Sequence, residues 1–310
     1  MSFPVSKAVA DVRRIAYGRL RPVRNILGTT LDATTTTVSL TLGTSEGVTV
    51  PVPSYLSIDR ELMWAYTNTA TTTTQTLTVA RGEYGTTAAA HTSGARVGVN
   101  SRFPDAFIAD AIRDEILGWQ PDLFQPVAVD YTVDSWPGTV DVGGDAVGSF
   151  GPAAARYLKS TASSTQYPEV EWRWMQGMDL ASFPSGEAIE FLEPTSAPAT
   201  WSAQTTSAGS VRVVWAMPFD VETFTDTTDL VESCGLAPSM VDVAVLGAVI
   251  RLLATSEVQR SDMGTAGQPR DAAEVSGGAQ LQAAAQLRGF YLARLDAEQR
   301  KLKRAYPDRF

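Results

Sequence analysis

One cysteine and one histidine in 310 residues exclude more chemistry than any motif in the chain suggests. Cys234 alone cannot close an intrachain disulfide or supply a thiolate zinc cluster, and it is consistent with synthesis in a reducing cytosol. A buried or semi-buried thiol is its expected role. His91 alone rules out multi-histidine metal sites and obliges any Ser-His-Asp or Cys-His device to use it. It stands in an Ala-rich turn sequence, where a hydrogen-bonding turn residue is expected and a catalytic base is the alternative. Glycine pairs lack a Walker lysine, and Gly143-Gly144 does not open a helix. Asp141 and Asp145 flank that pair without the full calcium-loop spacing. No run approaches 18 uninterrupted apolar residues, and the first residues lack a basic region feeding an apolar one, so neither a membrane span nor a signal peptide is expected. The reading is of a non-enzyme with no cofactor and no metal. A two-carboxylate glycosidase stays open, because the acidic middle of the chain offers many pairs.

Charge is scarce in one sign at a time. The net charge is −9, yet residues 1–25 carry six basic side chains against one acidic, and residues 286–310 seven against three. Residues 101–240 carry six basic against twenty acidic. Basic ends of this kind can meet an anionic partner or nucleic acid while an acidic body repels DNA; solvated faces and helix-dipole complementarity explain the same pattern without a partner.

Along the chain, residues 6–25 predict a helix with Val9, Val12, Ile15, Ala16 and Leu20 apolar, weakened by Gly18 and Pro22. Residues 29–99 are threonine-rich, and threonine's branched Cβ favours strands. Strands are expected at 37–42, 55–58, 61–67, 75–81 and 95–99, forming a small antiparallel barrel or sandwich. A second β region reaches about residue 220. Its clearest strand, 169–175, sets Val170, Trp172 and Trp174 on one face and Glu169, Glu171 and Arg173 on the other. The tryptophans read as core or as a sugar-binding platform. Strands are also expected at 131–133, 156–158, 188–192 and 211–217, together a β-sandwich. Beyond Pro238 the period changes. Helices are predicted over 239–257, with Ser239 as cap, and over 279–306, ended by Pro307.

The stretch from 75 to 124 joins these parts. A strand ending at Arg81-Gly82 leads into Gly85-Thr86-Thr87-Ala88-Ala89-Ala90-His91, where Thr86 or Thr87 is expected to cap a helical turn at 88–90. Gly94-Ala95-Arg96-Val97 then enters a new strand, and Arg102-Phe103-Pro104 opens an amphipathic helix over 104–119. This wording, Arg-Gly-x-x-Gly-Thr-Thr-Ala-Ala-Ala-His-x-x-Gly-Ala-Arg-Val followed by Arg-Phe-Pro and a helix, resembles the neck proteins of tailed bacteriophages. In those head-to-tail adaptors a helical bundle forms a ring beneath the portal. About 50 of the residues carry the resemblance.

The resulting expectation is an α+β fold: a discontinuous, adaptor-like helical bundle with a small antiparallel β module and an inserted β-sandwich. Its parts are an N-terminal bundle helix (1–28), a β barrel or sandwich (29–100), a bundle helix (101–124), the inserted sandwich (125–222) and C-terminal bundle helices with a tail (223–310). The resemblance implies a virion structural protein of the head-tail neck, assembled in the host cytoplasm. It also implies a homododecameric ring around the DNA channel, with the portal protein and downstream neck or tail proteins as partners. DNA would pass without sequence-specific binding, and no membrane is involved. Carried over by position, the portal contacts are Lys301, Arg304, Tyr306, Arg309 and Phe310. The alternative is a tail or baseplate structural protein with a carbohydrate-binding sandwich.

Overall fold

The computed structural model describes residues 2–17, 24–42, 49–133, 138–146, 148–158, 169–192, 209–265 and 279–307. The chain packs into two compact units. One comprises Met1–Ile116, Val221–Ser233 and Ala237–Ala293; the other comprises Leu117–Asp220, Cys234–Leu236 and Arg294–Phe310.

The first unit is built on a closed antiparallel barrel. Its strands are β1 (Arg24–Leu27), β2 (Thr37–Thr41), β3 (Ser54–Ile58), β4 (Glu61–Ala70), β5 (Thr74–Ala80) and β6 (Arg96–Val99), in the order β1-β2-β5-β4-β3-β6. Alternation places the residues: Leu77 and Val79 of β5 enter the core with Val38, Leu40, Leu56, Ile58, Met63 and Val97, while the threonines between them face out. On the wet face Thr67 and Thr78 join hydroxyls at 2.8 Å. Buried Gln75 is satisfied in the manner of a strand: its amide donates to the Val50 carbonyl at 2.7 Å and its carbonyl accepts from the Val50 N–H at 2.8 Å.

Three helices belong wholly or largely to this unit: α1 (Val5–Tyr17), α2 (Asp105–Leu117) and α3 (Val241–Thr265). Val5, Ala8, Val9 and Val12 form the buried stripe of α1, which packs on α3. Asp229 fixes the start of α1 by accepting from the Phe3 N–H at 2.7 Å and the Ser2 hydroxyl at 2.5 Å. With the N–H groups of Glu232 and Val231 these donors hold its pKa down at about 2. Glu115 of α2 is buried. It reaches the Arg251 guanidinium of α3 and the Tyr291 hydroxyl, each at 2.5 Å, and a Cβ on Gly247 would collide with its side chain. Pro238–Thr255 is long and apolar enough to cross a membrane by composition, but 56% of it is buried inside the folded chain, and a core helix meets the same criteria.

The second unit has two three-stranded antiparallel sheets. One orders β10 (Trp172–Gln176), β11 (Glu187–Phe191) and β8 (Gly138–Asp141); the other orders β7 (Gln125–Val133), β12 (Gly209–Met217) and β9 (Pro152–Leu158). Ile189 and Phe191 from the first share a core with Tyr131, Val211, Val213 and Trp215 from the second. Trp215 is fully buried, and its indole N–H donates to the Tyr131 hydroxyl at 3.0 Å. The end of α4 (Ala279–Ala305) adds Leu302 to a smaller cluster with Phe124, Ala153 and Ala216.

The expected α+β fold organised by a helical bundle is overturned. Among the described residues the chain is mostly β, with twelve strands against four helices, in a closed six-stranded barrel and two small sheets. Each β region closes on its own apolar core and needs no bundle to complete it. Among the described residues the first helix spans Val5–Tyr17, and Arg24 and Asn25, expected at its end, are not helical. Arg24–Leu27 is instead the strand that pairs with both β2 and β6 and removes the open edges a five-stranded sheet would leave. Ser239 lies inside a 3₁₀ turn, Pro238–Met240, that leads into α3.

Candidate functional site

Arg81, Gly82, Ala89 and His91 converge on one cluster at the end of the barrel. The two-residue turn between β3 and β4 places Asp59 in the left-handed region (φ 51°), which Asp tolerates. Asp59 and Glu61 thereby flank His91. The backbone of His91 is pinned by a reciprocal pair with Leu31, its N–H donating at 2.7 Å and its carbonyl accepting at 2.9 Å. Its Nδ1 lies 2.8 Å from Asp59 Oδ2 and its Nε2 2.9 Å from Glu61 Oε2.

Glu61 is 2% exposed, at an inward position of β4. A buried carboxylate needs compensation. Arg81, at the end of β5, supplies it through Nε at 2.5 Å and Nη2 at 2.7 Å, a bidentate pair. The Ala89 N–H adds a third bond at 3.0 Å and the Gly82 N–H a fourth at 3.3 Å. Arg81's remaining donors go to three carbonyls, those of Asp32 and Thr35 at 2.8 Å and of Ala89 at 2.6 Å. All five guanidinium N–H directions are used, and four chain segments are tied together. Asp32 shapes the carbonyl pair by accepting from the N–H groups of Thr34 and Thr35, and those bonds hold its pKa at about 2.

This network explains why no helical turn forms at 88–90. The Ala89 N–H and carbonyl are committed to Glu61 and Arg81, and the Thr86 hydroxyl donates to Glu83 O and accepts from the Leu62 N–H. The turn that does form is a 3₁₀ turn at Glu83–Gly85, with Gly82 and Tyr84 both left-handed. A Cβ on Gly82 would come within 2.9 Å of the Thr86 carbonyl oxygen, so the turn requires glycine there.

The cluster pairs a histidine and an arginine with two carboxylates. Hydrogen bonding to Asp59 raises the His91 pKa, burial opposes this, and Glu61 adds to the rise. Both ring nitrogens therefore face carboxylates, an arrangement that favours the protonated ring. For Glu61, burial pushes the pKa up, but Arg81, the Ala89 N–H and His91 outweigh it and the net direction is down. Comparison with known protein families, with curated proteins and with solved structures found no match.

A pH profile follows. His91, raised in the folded state, contributes stability that is complete below its ordinary value of about 6.5 and is lost as pH rises through the folded value. Glu61, lowered, contributes stability that is complete above about 4.5 and is lost as pH falls through its folded value. Urea unfolding of the barrel unit should be most resistant between these limits. His91→Gln should flatten the alkaline decline and leave the acid one; an unchanged alkaline decline would remove His91 from the account.

Beside the cluster lies a cleft of about 510 Å³ bordered by Arg60, Tyr84, Asp110 and Phe224. Arg60 is held by Asp226 Oδ1 at 2.5 Å and by the Phe224 carbonyl, and burial followed by the neighbouring Asp114 raises the Asp110 pKa.

The residues expected to meet a portal lie at the end of α4. Lys301 is exposed and reaches Glu298 at 2.6 Å, and Arg304 is exposed. Tyr306 turns inward against Phe124, with ring centroids 6.0 Å apart. Arg309 and Phe310 lie outside the described residues. The tryptophan stripe is also turned inward: Trp172 and Trp174 pack on the core of the second unit, and Trp174 meets Trp215 edge-on at 6.3 Å.

Sequence reasoning missed Glu61 as an anchor. The available signal was a charged residue in phase with the inward-facing Met63 and Ala65, matched by an arginine at the end of the adjacent strand.

Proposed function

We propose that this chain is a structural protein of the bacteriophage particle, a head-to-tail adaptor that works by binding and not by turnover. Its partners are the portal protein, downstream neck or tail proteins and further copies of itself, assembled as a homododecameric ring through which DNA passes without being read. The observation that carries the binding mode is the double capture of His91. The sole histidine, in the middle of the phrase shared with neck proteins, is spent on holding a turn against the barrel. The same phrase supplies Arg81 and Ala89 to that clasp, so the resemblance falls on residues that set shape. The adaptor placement rests on the likeness of residues 81–97 and 102–104 to neck proteins.

Tyr306 and Leu302 contribute to a core, so truncating the last ten residues would damage the fold, and surface substitutions make the better test. Arg304→Glu alters an exposed side chain and leaves the Lys301–Glu298 pair intact. The variant should weaken capture by a purified portal ring about tenfold while leaving the thermal midpoint in place. Undiminished capture would remove the end of α4 from the contact. Absence of capture by the unaltered chain would count against the adaptor reading itself.

A further inference from the structure

A second polar pocket, of about 250 Å³, lies on the outside of the barrel where β1, β6 and β3 run side by side. The pairing register puts Arg24, Gly98 and Ser57 in one row across the three strands. Arg96 is two residues along β6 on the same outward face, because Val97 and Val99 point into the core. Gly98 forms the floor, and a Cβ there would come within 2.4 Å of the Ser57 hydroxyl. Arg13 of α1 and Ser101 complete the wall.

Three guanidinium groups share this small space. Arg13 is paired with Asp105, yet its pKa is lowered, first by burial and then by the positive charge of Arg24, with Arg96 adding to the effect. The two carboxylates that border the pocket, Asp105 and Asp59, are engaged by Arg13 and His91. Among the described residues Arg24 and Arg96 have no carboxylate partner within ion-pair distance. Like charges converging on a glycine-floored recess are unfavourable unless an anion enters, and guanidinium forks match the oxygens of a tetrahedral oxyanion.

We propose that this pocket binds a phosphate group, with Arg24 and Arg96 as the principal ligands and Arg13 as the third cation. The inference rests on the pocket alone and does not depend on the adaptor reading. The phosphate can come from a small phosphorylated molecule or ion, or from the end of a nucleic-acid strand.

Calorimetric titration of the whole chain at constant ionic strength distinguishes these sources. The probes are inorganic phosphate, a 5′-phosphorylated short oligonucleotide and the same oligonucleotide without its phosphate. Saturable phosphate binding, weakened at least about tenfold by Arg24→Gln with Arg96→Gln, is the expected result. Binding of both oligonucleotides alike, with no inorganic phosphate binding, would mark a diffuse basic surface and overturn the pocket. Gly98→Ala keeps every charge and fills the floor, so it too should weaken phosphate binding. The double arginine variant relieves repulsion, so without phosphate it should be at least as thermally stable as the parent. No saturable phosphate binding by the parent, or equal binding by a folded double variant, overturns the assignment.

Discussion

Replacing Arg81 by alanine should lower the stability of the barrel unit by about 3–5 kcal/mol, the usual cost of stripping the partner from a buried charge. The loss is large because three deficits arise together. Glu61, almost without solvent access, loses its bidentate counter-ion, and the carbonyls of Asp32, Thr35 and Ala89 lose their common donor. The segment from Gly82 to His91 then loses one of the groups that hold it to the strands. Arg81→Lys should recover little, since an ammonium cannot supply two parallel bonds to Glu61 while reaching three carbonyls in different directions. Urea unfolding monitored at Trp64, on β4, reads the effect. Glu61→Gln in the Arg81→Ala background should restore part of the loss by removing the stranded charge, and an additive double variant would contradict the clasp.

Trp215→Ala should cost about 3–5 kcal/mol in the second unit. The side chain is fully buried among residues from both sheets, stacks edge-on with Tyr131 and Trp174, and satisfies its N–H on the Tyr131 hydroxyl. Trp172→Ala, at a half-buried position on the same core, should cost less. A glycan-binding platform would show the reverse signature: little stability change at Trp172 and Trp174, with loss of sugar binding. The unfolding midpoints of the two variants decide between these outcomes.

Period-2 alternation made the barrel strands legible. Residues 37–42, 55–58, 61–67, 75–81 and 95–99 each overlap a strand whose ends differ by three residues at most, because inward Val, Leu and Ile alternate with outward Thr and Ser. Arg24–Leu27 was hidden. Four residues are too few to show a period, and the arginines around them continue a helical-looking basic face. In the second unit, β9 contains Ala153, Ala154 and Ala155, which carry helical propensity, and only pairing with β12 makes them extended. β7 begins beside Pro126 and is an edge strand, which tolerates proline where a central strand would not.

The candidate site was legible as wording and not as geometry. Arg81 and His91 stood out in the sequence, whereas their partners Asp59 and Glu61 are brought to them by the β3–β4 turn across twenty to thirty-two positions. Such long-range pairing leaves no local signature. The helices show the opposite error: their positions were readable from apolar spacing, but spacing cannot say whether a helix organises a fold or covers a sheet-built one.

The proposal of a ring-forming neck component is tested most directly by the native mass and rotational symmetry of the purified chain, measured alone and after mixing with portal rings. Twelve copies in a closed ring seated coaxially on the portal is the outcome the proposal requires. A chain that stays monomeric in both conditions, or that is found in intact particles only at the distal end of the tail, would contradict it.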